Sequence, residues 1–320
     1  MITVLLFIVG LICLIKGGDI FVDSSVSIAK RFHIPELLIG ATVVSIGTTL
    51  PEVMVSATGA IQGNGAIAYG NAIGSIICNT SLILAINITF APSVIDKKDL
   101  YLPSIFFLIA SIFYAVISYT TGYFSRVAGI ILLAMFVIYI VIQARTAIKA
   151  SSDQNREETK EDNTPLRRPI ILLIIGAATI AVGAKLLVDN GIKLAQMLGV
   201  PESVIALTMV ALGTSLPELI TAIQSLLKGH GLLSLGNVIG ANLFNLILVS
   251  GVAITLNPFS IPDSKLIFGY NSSLVLDIPI MFTVMGIVLI PSLLKGKLYR
   301  IQGILLLVIY ALFIGIQFFL

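Results

Sequence analysis

Residues 47–52 read GTTLPE and residues 213–218 read GTSLPE, so a carboxylate directly follows a proline twice within apolar surroundings. Pro51 has no backbone N–H and its ring crowds the carbonyl four residues back, at Gly47; Pro217 does the same to Gly213. The expectation is an interruption in each helix that frees carbonyl oxygens around Gly47 and Thr48, and around Gly213 and Thr214. The hydroxyls of Thr48, Thr49, Thr214 and Ser215 lie beside them. Glu52 and Glu218 then fall in the first turn of the next half-helix, where the peptide dipole favours an ionised carboxylate. Carbonyls, hydroxyls and two carboxylates form a hard, all-oxygen shell suited to Na⁺ or Ca²⁺. Neither motif contains His, which argues against zinc or copper.

A second pair of segments completes the set. Residues 70–79 read GNAIGSIICN and residues 236–245 read GNVIGANLFN. Gly70 and Gly74 are four apart, which lets another backbone approach that helix face. Ser75 and Asn79 share one face by the same spacing and can enter one site. Their counterparts are Ala241 and Asn245.

These residues must be held in a membrane. The 320-residue chain is 57% hydrophobic and 11% charged, too apolar for a soluble globule of this size. Apolar runs of about 20 residues recur, each long enough to cross a hydrocarbon core of roughly 30 Å as a helix. They do not alternate as barrel strands do, so the fold class is an all-α integral membrane protein. Ten transmembrane helices are expected, centred near residues 14, 48, 78, 110, 135, 182, 214, 245, 284 and 309. The first run lacks a basic leader and a cleavage site, so it reads as a span and not a signal peptide. Cys13 and Cys78 are expected as free buried thiols without metal-ligand spacing. The net charge of +3 reflects Lys and Arg flanking the spans, not a nucleic-acid footprint.

A shift of 166 residues lays 17–79 onto 183–245 without a gap, with 21 identities over 63 positions. Five spans per copy is an odd number, so the second copy enters the membrane from the opposite side. The domains are a first five-helix repeat, 1–148, with its motif at 40–79, and a second, inverted repeat, 169–320, with its motif at 206–245. Residues 149–168 form a hydrophilic linker read as a flexible tether. Placing both termini outside puts fourteen Lys and Arg in cytoplasmic loops, the linker included, against Arg126, Lys193 and Lys265 in outer loops.

Other polar residues read as structural. Asp23 and Asp189, with Lys16, Asp19 and Lys185 at helical spacing, look like local ion pairs. His33 and His230 fall at loops and are expected in solvent. Glu36 and Glu202, after Pro35 and Pro201, look like first-turn acids at helix starts.

The pair GTTLPE…GNAIGSIICN and GTSLPE…GNVIGANLFN resembles the alpha repeats of the cation/Ca²⁺ exchanger superfamily, which includes sodium/calcium exchangers. The resemblance implies that the second, third, seventh and eighth helices, broken at the motifs, surround the ions while the first and sixth slide past them. It implies Glu52 and Glu218 as central acidic ligands, and Thr48 and Thr214 as donors of backbone and hydroxyl oxygens. Thr49, Ser215 and Ser75 match hydroxyl ligands for Na⁺; Ser45 and Ala211 match positions giving carbonyls; Asn79 and Asn245 match the polar residues at the centre. Two departures are Ala241, where Ser is common, and Asn245, where potassium-dependent members have Asp.

The expected function is therefore an antiporter of the cell membrane that moves Ca²⁺ against Na⁺, with no cofactor and no obligate protein partner. Its partners are Ca²⁺ and Na⁺ as transported ions and the lipid bilayer. Coupling to H⁺ is the nearest alternative, because protonation neutralises the same glutamates. A passive cation channel is the rival of another class. An enzyme is disfavoured, since no Ser/His or paired-Asp arrangement falls within the spans.

Overall fold

The computed structural model describes residues 2–154, 166–197, 211–263 and 265–319. Helices α1 (Ile2–Arg31), α2 (Glu36–Ile61), α3 (Gly65–Phe90), α4 (Lys97–Thr120) and α5 (Arg126–Gln154) form the first copy. Helices α6 (Arg167–Met197), α7 (Ala211–Thr214 and Leu216–Leu227), α8 (Gly231–Leu256), α9 (Ser273–Lys295) and α10 (Arg300–Phe319) form the second, inverted copy. Nine of these are long and apolar enough to cross a membrane among the described residues, with the segment Leu216–Leu227 of α7 as a shorter apolar helix. The repeat is visible even in its turns: Gly63 and Gly229, 166 apart, have φ of 77° and 78°.

The flanking helices continue into the expected linker, to Gln154 on one side and from Arg167 on the other; residues 155–165 lie outside the described residues. Pro201, Glu202 and 206–210 of the second motif also lie outside them. The loops carry two short antiparallel pairs: β1 (Tyr123–Phe124) with β2 (Phe259–Ser260), and β3 (Leu266–Ile267) with β4 (Tyr270–Asn271).

Helices α1 and α6 pack as a pair with a small core of Leu14, Phe21, Val22, Ile180 and Ala184. Their backbones nearly touch: a Cβ added to Gly10 would lie 2.8 Å from Leu187 N, and one on Gly183 2.8 Å from Leu14 N. The main core surrounds α8, the most enclosed helix, through Ile76, Ile77, Ile239, Phe244 and Met281. There a Cβ on Gly240 would fall 2.7 Å from Ala41 Cα, and one on Gly236 would overlap the Leu37 carbonyl, so α2 and α8 meet backbone to backbone. In the first copy no described residue of another helix comes within 4 Å of a Cβ on Gly70 or Gly74. These two glycines line a cavity instead of admitting a described helix.

The break expected at Pro51 is absent. The α-helical part Ser45–Ile61 runs through that proline, and the irregularity lies upstream, in a π-helical turn at Gly40–Val44. Packing on neighbouring helices lets a membrane helix tolerate an internal proline, at the cost of the one bond to Gly47 that Pro51 cannot make. In α7 the break is real: Ser215 leaves helical geometry at φ −89°, ψ 5°, and Pro217 sits in the first turn of the new segment. A proline fits there because that N–H has no partner within the helix anyway.

Candidate ion-binding site

The site is built where α2, α3, α7 and α8 converge. Asn79 in α3 and Asn245 in α8, related by the repeat, each open a π-helical turn, at Asn79–Leu84 and Asn245–Val249. A π turn widens the helix by a residue and recurs at functional sites. Hydroxyls five residues on secure the carbonyls so displaced: Ser45 Oγ donates to Gly40 O at 2.6 Å and Ser250 Oγ to Asn245 O at 2.9 Å. Tyr139 of α5 adds a third tie, donating to Ala41 O at 3.1 Å while accepting from Gln143 Nε2 at 2.9 Å.

Glu52 and Glu218 are completely buried and close enough for their charges to interact. Neither has an ion-pair partner among the described residues, and all four carboxylate oxygens lack a protein hydrogen bond. The same holds for the hydroxyls of Thr49, Ser75 and Ser215 and for both amide atoms of Asn79 and Asn245, each in a residue no more than 2% exposed. Buried polar groups are ordinarily satisfied, so seven unsatisfied side chains carrying two carboxylates are unusual for structure alone. Hydroxyl, amide and carboxylate oxygens suit Na⁺ or Ca²⁺. Among the described residues no three His, Cys, Asp or Glu side chains gather as a metal cluster.

The remaining expected residues take other positions. Ser45 is buried, but its hydroxyl is committed to Gly40 O and, at 3.0 Å, Asn237 O, which leaves its carbonyl as the group to offer. Thr48 faces Glu218 and donates to Asn237 Oδ1 at 3.1 Å. Thr214 is half-buried and lines two cavities. Ala211 begins the short helical segment of α7 and is placed by its backbone only.

Two residues of the site were not anticipated. Asn71 donates to Glu52 O at 3.1 Å and Ser56 Oγ at 2.8 Å, and its counterpart Asn237 holds Thr48. Their identity at the 166-residue offset was the available signal.

Outside the site, Lys185 and Asp189 pair locally at 3.1 Å, as expected. Asp23 does not pair locally. It shares Lys228 of the α7–α8 turn with Asp19, because α1 packs beside α7 and brings that ammonium within 2.6 Å. Partial burial pulls the Lys228 ammonium down, and its hydrogen bonds to Asp19 and Asp23 outweigh this and hold it above the usual lysine range. His230 is not simply in solvent: its Nδ1 lies 2.8 Å from Glu36 Oε1, joining the start of α8 to the start of α2. Glu36 does open α2, and His33 lies in the turn before it. Cys78 is a buried free thiol that accepts from Tyr310 Oη at 3.7 Å, whereas Cys13 is only half-buried.

Two inverted five-helix copies meeting at a buried polar cluster with two carboxylates define a membrane ion transporter of the inverted-repeat kind. The family model described as sodium/calcium exchanger protein matches residues 2–145 and 168–319, and the chain belongs to that family. An uncharacterized membrane protein of Methanocaldococcus jannaschii is 36% identical over 97% of this chain and 96% of its own. The sodium/calcium exchanger MaX1 of Methanosarcina acetivorans is 29% identical over the whole of both chains. A structure of the sodium-calcium exchanger NCX_Mj superposes with a TM-score of 0.82 at 34% identity, covering 98% of each chain.

Proposed function

We propose that this protein exchanges Na⁺ for Ca²⁺ by alternating access, with both ions held in turn by Glu52 and Glu218. The observation that carries this reading is the group of seven buried side chains, those two carboxylates and five hydroxyl and amide side chains, whose polar atoms have no partner in the protein. A carboxylate at the centre of a span costs on the order of 3 kcal/mol on insertion scales, and more when unpaired and dry. A bound cation removes that cost. Two negative charges are balanced by one Ca²⁺ or by two Na⁺, so either load permits the site to cross the membrane while an empty one resists. That requirement produces exchange and not leak.

Thr49, Ser75 and Ser215 supply hydroxyl oxygens, Asn79 and Asn245 amide oxygens at the centre, Thr48 and Thr214 hydroxyls and carbonyls, and Ser45 and Ala211 carbonyls. The distribution of Lys and Arg supports a cell-membrane topology with both termini outside and the 149–168 linker in the cytoplasm, Ca²⁺ being extruded on the inward Na⁺ gradient. The test is ⁴⁵Ca²⁺ uptake into proteoliposomes loaded with Na⁺ and diluted into Na⁺-free medium, beside choline-loaded controls with and without a pH gradient. Uptake only with internal Na⁺ is expected. Ala241 gives no hydroxyl where Ser75 does, which keeps one second reading: uptake driven by the pH gradient alone would make H⁺ the coupling ion. Uptake with no counter-ion would indicate a channel.

A further inference from the structure

A cavity of about 400 Å³ reaches Ser75 and Thr214 at one end and a charged cluster outside the ion site at the other. That second end lies where α3 begins and α10 ends, beside the loop that leads into α9. Asp277 lines the cavity at the close of the π turn Ser273–Asp277, inside the apolar span of α9. Lys265 stands next to it at the base of the β3–β4 hairpin, which Ser272 N closes by donating to Lys265 O at 3.0 Å.

The two charges do not form a direct ion pair. Gln317 of α10 is inserted between them: Lys265 Nζ donates to Gln317 O at 2.7 Å and Oε1 at 3.0 Å, and Gln317 Nε2 donates to Asp277 Oδ1 at 3.0 Å. A direct pair would cancel the carboxylate's field. An amide spacer instead orients the acid while leaving part of its charge to act along a low-dielectric cavity that leads to the ion site, where such a field raises local cation concentration.

We propose that Asp277 is the recruiting carboxylate for cations entering on this face, and that Lys265 is the built-in cation with which an arriving Ca²⁺ or Na⁺ competes. The inference rests on the exchange reading above and adds to it the entry station for one side of the membrane. It makes Asp277 an approach residue, outside the ion-holding group.

The experiment compares KM for Ca²⁺ in right-side-out and inside-out membrane vesicles carrying the full chain. Asp277→Asn should raise KM about tenfold on the face where the cavity opens, leave the other face unchanged, and keep the maximal rate within about twofold. Asp277→Glu should restore the wild-type KM. Lys265→Gln should lower KM on the same face by about threefold at low ionic strength, an effect that fades in salt and disappears in the Asp277→Asn background. An unchanged KM, an equal rise on both faces, or a fall in maximal rate at constant KM would overturn the proposal, the last because it marks a hairpin anchor. Wild-type flux without Na⁺ dependence would refute the exchange reading instead, and the KM comparison would still decide this one.

Discussion

Thr48 of α2 donates its hydroxyl proton to Asn237 Oδ1 of α8 at 3.1 Å, and both residues are fully or almost fully buried. With its proton so placed, the hydroxyl beside Glu218 keeps its lone pairs for a cation. Asn237→Ala frees that proton to turn inward. The apparent Ca²⁺ affinity should fall about tenfold, the range found when groups that orient metal ligands are removed, with the protein still folded. ⁴⁵Ca²⁺ uptake against concentration measures it; an unchanged KM would remove Thr48 from the ion's surroundings.

Glu52→Gln and Glu218→Gln keep the shape of each side chain and remove its charge. Each should lower Na⁺-dependent Ca²⁺ flux by about 100-fold or more, the equivalent of roughly 3 kcal/mol of lost cation stabilisation. Substantial exchange in either variant would show that the two carboxylates do not hold the ion together.

Ala241 is fully buried and corresponds to Ser75 in the other copy. Ala241→Ser restores the missing oxygen and should shift Na⁺ activation of Ca²⁺ flux to about fivefold lower Na⁺, as one net polar contact of about 1 kcal/mol would. An unchanged activation curve would place that side chain away from the ion.

Tyr139→Phe removes the donor to Ala41 O and the acceptor for Gln143 Nε2, both in a region closed to water. Stability should drop by about 1–3 kcal/mol, read as a lower midpoint in a detergent thermal melt. Adding Gln143→Leu to that variant should recover part of the loss, because it removes the other orphaned partner.

Much of this arrangement is legible in the sequence because duplication writes it twice. The 166-residue offset, the odd number of spans per copy and the recurrence of GT(T/S)LPE identify the inverted repeat, the central glutamates and the hydroxyls beside them. The π turns at Asn79 and Asn245 are not legible, since no residue preference separates them from ordinary helix and only the packed backbone shows the extra residue. Pro51 misled for a related reason. A proline specifies a lost bond and a clash, but whether the helix breaks depends on its neighbours, and α2 stays continuous where α7 does not. Pairings such as Lys228 with Asp23, or His230 with Glu36, join residues about 200 positions apart and follow from packing that local spacing cannot report.

Among the residues expected to offer oxygens to the ion, Ser45 and Ser75 in one copy correspond to Ala211 and Ala241 in the other. Under the proposed alternating access, identical halves would make the inward-open and outward-open postures mirror images of equal energy. Ser45 bonds Gly40 and Asn237, which an alanine side chain cannot do, so that equality would be lost. On that reading the carrier would have a preferred resting stance before any gradient acts on it, and its two mouths would be free to differ in affinity. Divergence between the copies, small side chains included, would thereby become a built-in bias in which compartment the carrier waits to serve.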